Sequence, residues 1–294
     1  MKLVSFGKRG NERAGIFYND KIIDINKANS KIPSTIIRIL EKDYLNEVKE
    51  IMKEDNKGKL SKDCYVDTKL VRIGAVIPTP GQIICMGLNY RDHAAEAKAE
   101  IPSNPLLFAK AVSSINGPYD DIIHPGFKYT EKMDYEVELA IVIGRRASRI
   151  KVREVFEYIS GYVILNDISA RDVQFSDKQW FRGKSFDTFC PLGPYLVTKD
   201  EIKNPSNIRL LTRVNGEVRQ DGNTKNMIFS IPEIIEFITS TITLNPGDIV
   251  TTGTPSGVGI FMNPPQYLKS SDAIETEMEG LGTQKNNVVM REDS

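Results

Sequence analysis

Neither sign of charge is in excess: 39 lysines and arginines balance 39 aspartates and glutamates, so no global field draws the chain to nucleic acid or to an anionic membrane. Cysteine is scarce. Cys64, Cys85 and Cys190 are odd in number, widely spaced and free of any C-x-x-C, which argues against a disulfide framework and a zinc site alike. They read as buried thiols, small hydrophobes in effect. No apolar run approaches a membrane span, and no basic-then-apolar leader opens the chain, so a cytoplasmic location is expected. A nucleotide-phosphate loop is missing too. "TTGTPSGVG" (Thr251 to Gly259) is glycine-rich, but it lacks the G-K-[ST] ending and no helix follows it. A turn offering backbone N–H groups and the Thr254 hydroxyl to a ligand carboxylate fits it better.

What is present is an ordinary globular composition, 40% hydrophobic and 27% charged, in 294 residues. That length suits one large domain with an appendage, or two domains. Residues 1–75 read as a small unit of short strands, "MKLVSFGK", "RAGIFYN" and "KIIDIN", followed by one amphipathic helix from about Ser34 to Lys53. Residues 76–294 read differently. After "VIPTPGQ" come short strands joined by Gly/Pro turns, among them "IICMGLN", "LLFAK", "VELAIVIG", "GYVILND", "PYLVT", "IRLLTRVNG", "DIVTTG" and "AIETEMEG". Helices are few: "YRDHAAEAKAE", "KVREVFEYIS" and "SIPEIIEFITST", the last with Ser230 as N-cap. Strands without βαβ alternation predict a β-rich α+β fold.

"DYEVELAIVIG" (Asp134 to Gly144) carries the chemical signal. On a strand, Glu136 and Glu138 share one face, with Asp134 extending the row, while Val137, Leu139, Ile141 and Ile143 line the other. Like charges side by side weaken a sheet unless they are solvated or a cation sits between them. A second apolar strand, "GYVILND", ends abruptly on Asp167. If a cation is bound, an all-carboxylate shell favours Mg²⁺, Mn²⁺ or Ca²⁺ over zinc or copper. Arg171 and Gln174 follow Asp167 at four and seven residues, one and two turns if helical. They are either surface decoration or recognition of an anionic, oxygen-rich ligand. Lys184 lies in "WFRGKSFDTFCPLGP", a segment crowded with Gly, Pro and aromatics as a pocket wall would be. His93, one of only two histidines, has Glu96 three residues on, the spacing that lets a carboxylate fix an imidazole. His124 has no such partner and reads as structural. The segment "NYRDHAAEAKAE" shows no apolar stripe, so a mobile element closing over a ligand is expected there.

Taken together, "GLNYRDHAAE", "DYEVELAIVIG", "NDISARDVQ", "GKSFDTFCPLGP" and "TTGTPSGVG" resemble the fumarylacetoacetate hydrolase family, in order and spacing, over roughly residues 80 to 290. The domain-2-type members, with their small N-terminal domain, are the most similar. The resemblance implies a mixed β-roll-like catalytic domain, a divalent metal (Mg²⁺ or Mn²⁺) and a homodimer. It places metal ligands on Glu136, Glu138 and Asp167, and substrate contacts on Arg171, Gln174 and Thr254. The catalytic groups it implies are His93, Glu96 and Lys184. The activity expected first is hydrolysis of the C–C bond of a 2,4-dioxo acid or acylpyruvate, in sugar-acid or aromatic breakdown. The alternative is isomerisation or decarboxylation of a related 2-oxo acid, such as oxaloacetate or 2-hydroxyhepta-2,4-diene-1,7-dioate. A catalytically idle scaffold is the third reading, and the intact acidic and dyad residues argue against it.

Overall fold

The computed structural model describes residues 1–291. Its centre is the strand Val137–Ile143, which is buried along its whole length on both faces. Alternation sends Val137, Leu139, Ile141 and Ile143 into one core and Ala140 and Val142 into another. The face that bears Glu138 is therefore interior, not solvated.

This strand sits in a large mixed sheet. It pairs antiparallel with Ile159–Asn166 on one side and with Ile249–Thr251 on the other. Beyond Ile249–Thr251 lie Ile83–Gly87, in parallel pairing, and then Leu106–Ala109. In the opposite direction Cys190–Thr198 follows, and its edge takes Lys2–Phe6 through Lys2↔Val197 and Leu3↔Leu196. The N-terminal strands thus continue the same sheet. A separate five-stranded sheet contains Arg209–Val214 and Ala273–Met278 at its middle. The fold is sheet-rich, with mixed sheets and few helices, as the composition of its segments predicts.

Helices cover the two cores. Ile231–Thr239 lays Ile231, Ile234, Ile235 and Ile238 on the Val137 face. Its start is fixed by Glu233, which accepts the Ser230 backbone N–H at 2.7 Å and the Ser230 hydroxyl at 2.7 Å. The helix expected from Ser34 to Lys53 is two helices, Ile36–Glu41 and Leu45–Asn56. Asp43 breaks it at φ 57°, a left-handed conformation that a short polar side chain tolerates. The break lets Ile36, Ile39 and Leu40 on one side, and Val48 and Ile51 on the other, each reach the same core. "KVREVFEYIS" is likewise shorter than expected: a 3-10 turn and the helix Val155–Tyr158, after which Ile159 already begins a strand.

His124 is structural, as expected. It ends the strand Ile122–His124, is 1% exposed, and its Nδ1 accepts the Gly126 N–H at 3.1 Å. Burial lowers its pKa below the usual histidine value, against the raising pull of Asp172. The unfolded chain then binds the proton more readily, so stability is full above about pH 6.5 and falls as pH drops below it. Urea midpoints should decline from pH 7.5 to pH 5.5 more in the parent than in His124→Asn, which keeps an acceptor for Gly126. Equal declines in the two would contradict this assignment.

Candidate active site

Strand register assembles the acidic centre. Val137 pairs with Asn166 and Glu138 with Leu165, so Glu136 and Asp167 face each other one step past the last pair. The Asp167 N–H donates to the Glu136 carbonyl at 2.8 Å, and the Glu136 N–H donates to Asn166 Oδ1 at 3.1 Å. Glu138, two residues along, shares that face. Each of the three carboxylates offers an oxygen within 4.8 Å of the others, and all three are buried.

Asp134 does not join them. The chain breaks between Met133–Asp134 and Val137–Ile143, ending the acidic row at Glu136. Asp134 instead accepts Arg171 Nε at 2.9 Å and the N–H groups of Gly259 and Ile260 at 2.8 and 3.0 Å.

Three cations are packed around this centre. Lys184 Nζ lies 2.8 Å from Glu136 Oε2 and 2.6 Å from Asp167 Oδ2. Arg171 Nη1 lies 2.5 Å from Glu136 Oε1. Lys110 Nζ lies 2.6 Å from Asp167 Oδ1 and 3.3 Å from the Ile168 carbonyl, and it also reaches the Lys184 carbonyl. Burial works to raise the Glu136 carboxyl, yet Lys184 and Arg171 hold it below the usual range. Among the described residues no cation is in ion-pair contact with Glu138. Burial, with the charges of Asp167 and Glu136, pushes its carboxyl well above the usual range, and the pull of the Thr251 side chain and of Lys184 on it is the weaker influence. Its Oε2 accepts the Gly253 N–H at 2.9 Å, but its Oε1 is buried without a hydrogen-bond partner. An all-oxygen, anionic donor set with one orphaned carboxylate oxygen fits a hard divalent cation.

Above this centre opens a cavity of about 310 Å³. His93, Glu136, Arg171, Gln174, Lys184 and Thr254 line it, while Glu138 and Asp167 lie behind its floor. Arg171 and Gln174 are on the helix Arg171–Ser176, and Arg171 Nη1 donates to Gln174 Oε1 at 3.1 Å. His93 Nδ1 is 3.3 Å from Glu96 Oε2, and Glu96 Oε1 accepts the Gly257 N–H at 2.9 Å. The dyad is thus anchored to the glycine-rich loop.

Two expectations change here. The N–H groups of that loop serve the protein's own carboxylates, Gly253 binding Glu138, Gly257 binding Glu96, and Gly259 with Ile260 binding Asp134. The Thr254 hydroxyl donates to the Val137 carbonyl at 3.0 Å and accepts from Gln220 at 2.8 Å, so its single proton is committed within the protein. The segment starting at Asn89 is also docked. Its helix is only Arg91–Glu96, Tyr90 and Ala94 are buried, and the Asn89 amide donates to the carbonyls of Thr252 and Phe229.

Lys110 is the site residue that sequence reasoning missed. Its signal was a lysine closing the apolar run "LLFAK", the basic counterpart of Asp167 closing "GYVILND". Lys110→Met leaves Asp167 Oδ1 and two carbonyls without their buried partner. The metal-free protein should lose about 3–5 kcal/mol of stability, the usual cost of breaking one side of a buried pair. Saturating Mn²⁺ should restore more stability to this variant than to the parent, because a dication offsets the lost charge. Denaturant unfolding with chelator and with Mn²⁺ measures both effects.

Comparison with known proteins identifies the family. The profile of the fumarylacetoacetate (FAA) hydrolase C-terminal domain matches residues 82–289. The mitochondrial oxaloacetate tautomerase Fahd2a of Rattus norvegicus is 41% identical over 269 residues, 91% of this chain and 84% of that protein. The oxaloacetate tautomerase YisK of Bacillus subtilis is 42% identical over 287 residues, 93% of this chain and 94% of its own. Among solved structures, maleylpyruvate hydrolase of Sphingobium sp. SYK-6, bound to manganese(II) and pyruvate, superposes with a TM-score of 0.82. It is 27% identical, over 99% of this chain and 100% of that one. Matched over residues 82–289 and over 40% identical to relatives along more than 90% of its length, the chain belongs to the fumarylacetoacetate hydrolase family.

Proposed function

We propose that the protein is a divalent-metal-dependent tautomerase that interconverts the keto and enol forms of a short 2-oxo acid, with oxaloacetate as the reference substrate. The observation that carries this reading is the orphaned, buried Glu138 Oε1 beside Glu136 and Asp167, beneath a cavity that also presents His93. Glu136, Glu138 and Asp167 would hold Mg²⁺ or Mn²⁺. Four carboxylates (Asp134, Glu136, Glu138, Asp167) face three side-chain cations (Lys110, Arg171, Lys184). With all four ionised, as ligation by Glu138 requires, a dication would leave the centre with an excess of one positive charge, which suits an anionic acid. Bound there, the ion supplies Lewis acidity, drawing charge onto the 2-oxo oxygen.

The chain's own residues do the rest. Arg171 and Lys184 border the floor and orient the acid's oxygens, and Gln174, its Oε1 held by Arg171, keeps its amide N–H groups for the ligand or a water. Glu96 accepts from His93 Nδ1, which leaves Nε2 unprotonated to take the proton from C3. Tautomerisation needs only this transfer and the delivery of a proton to the 2-oxo oxygen. Hydrolysis needs, in addition, a water activated against a distal carbonyl. The sequence alone favoured hydrolysis, and the tautomerase relatives at 41% and 42% identity move the choice to the alternative.

The chain is also proposed to divide into a strand-helix unit, residues 1–75, that braces the catalytic domain, residues 76–294, and to act as a homodimer. Among the described residues no helix is long and apolar enough to cross a membrane.

The test follows the enol absorbance of oxaloacetate with Mn²⁺-loaded protein, against a panel of acylpyruvates and maleylpyruvate assayed for acid release. Accelerated enol decay without acid release supports the proposal. Acid release without accelerated enol decay would transfer the assignment to C–C hydrolysis; the Sphingobium protein is named a maleylpyruvate hydrolase.

A further inference from the structure

The cavity has two chemically distinct ends. Its polar lining is Glu136, Arg171 and Lys184 at the floor, with His93, Gln174 and Thr254, while Met86, Leu88, Phe108, Phe175, Trp180 and Phe261 form an apolar wall. Phe108 joins the two parts. Lys184 Nζ lies 5.2 Å from its ring centroid, and the Trp180 ring meets it edge-on at 5.3 Å. The wall is built into the fold, because a Cβ at position 87 would collide with the Trp180 ring, so only glycine lets that ring pack here. At the mouth, Phe175 is 58% exposed and Phe261, its ring tilted against that of His93 at 5.9 Å, is 37% exposed, leaving aromatic surface open to a ligand.

Among the described residues no free cation faces this wall. The cationic or titratable side chains among the lining residues are His93, Arg171 and Lys184, each set against a carboxylate, and the one guanidinium nitrogen left without a partner, Arg171 Nη2, belongs to the floor that takes the first carboxylate. A dicarboxylic acid whose first carboxylate and oxo group sit on the floor would bring its second carboxylate against aromatic rings, with no counter-cation there among the described residues. A ring or alkyl group in the same place is removed from water with no polar group to satisfy.

We infer that this chain is built for 2-oxo acids that carry an apolar, ring-sized group on C3, the arylpyruvates, as tautomerase substrates in preference to oxaloacetate. The inference rests on the tautomerase reading and adds the substrate class to it. One C3–H bond breaks and one O–H bond forms at the 2-oxo oxygen, with no other reactant. Phe175 and Trp180 select the substrate by contact with its C3 substituent and take no part in the proton transfer.

The experiment compares enol–keto conversion of phenylpyruvate and of oxaloacetate by the Mn²⁺-loaded full chain and by Phe175→Arg. Position 175 is exposed, so the arginine is accommodated without disturbing the core. In the parent, KM for phenylpyruvate should be about tenfold or more below that for oxaloacetate, the range of discrimination that apolar pockets achieve. In Phe175→Arg the kcat/KM ratio of phenylpyruvate to oxaloacetate should fall about tenfold, since a guanidinium now answers the second carboxylate. Conversion of oxaloacetate with phenylpyruvate bound more weakly and turned over more slowly overturns this inference and leaves the tautomerase reading standing. Conversion of neither acid overturns both.

Discussion

Glu138→Gln is expected to abolish measurable Mn²⁺ binding and to reduce turnover by roughly 10³-fold, the scale of losing a principal electrostatic stabiliser in a catalytic centre. The same change should leave the metal-free protein as stable as the parent or more so. Its cause lies in the electrostatics around this one carboxyl. Glu136 has Lys184 and Arg171, and Asp167 has Lys110 and Lys184, whereas Glu138 has one backbone N–H and an unpartnered oxygen. Its pKa is raised in the folded chain, so stability is full below the ordinary glutamate pKa. It is lost progressively as pH rises from there through the folded value. Glutamine has no charge to desolvate, so the metal-free variant should show a flatter stability–pH curve above about pH 4.5. Calorimetric titration with Mn²⁺, together with urea unfolding in chelator at pH 5 and pH 8, reads both effects. Unchanged Mn²⁺ affinity would remove Glu138 from the ligand set. Asp167→Asn makes a useful contrast. It also loses a ligand, but it leaves Lys110 and Lys184 short of a counter-charge, so its metal-free form should be destabilised where Glu138→Gln is not.

The acidic pair was legible because a strand's period of two is strict. Once "VELAIVIG" reads as a strand, Glu136 and Glu138 must share a face, and the register with "GYVILN" brings Asp167 opposite Glu136. Arg171 and Gln174 were legible for a similar reason, three residues apart on one short helix. What could not be read depends on contacts between distant segments. Lys110 meets Asp167 across 57 residues, and nothing local in "LLFAK" points to that partner. The commitment of the glycine loop's N–H groups to Glu138, Glu96 and Asp134 is long-range in the same way, each bond spanning more than a hundred residues. The strands Glu217–Asn223 and Gly282–Met290 escaped notice because "EVRQDGN" and "GTQKNNVVM" have little intrinsic strand character. They form because Arg209–Val214 and Ala273–Met278 offer them an edge. The docking of the His93 segment escaped for yet another reason. Its anchors are Asn89 hydrogen bonds, not an apolar stripe, and polar anchors leave no periodic trace.

His93→Ala and Glu96→Gln should each lower the rate of keto–enol conversion by roughly 10²–10⁴-fold, the usual range for losing a general base. Mn²⁺ affinity should change little in either variant, because neither residue belongs to the acidic triad. The glutamine substitution is the more informative of the two. Its carbonyl oxygen can still accept the Gly257 N–H, so the tie between the dyad and the loop survives. Its NH₂ group, however, now faces His93 Nδ1 and donates to it. That places the ring proton on Nε2, the nitrogen proposed to receive the C3 proton, and the imidazole is present but in the wrong tautomer. A rate lost with KM and Mn²⁺ binding intact is the signature of that tautomer error, and a merely structural role for Glu96 would not produce it. If Glu96→Gln converts the enol at the parent rate, the proton passes through another group. Lys184, which lines the cavity but is already shared between Glu136 and Asp167, would then have to leave one of those carboxylates to act. Its departure would cost the acidic centre a counter-charge on every turnover, which is the physical reason for placing the proton on His93.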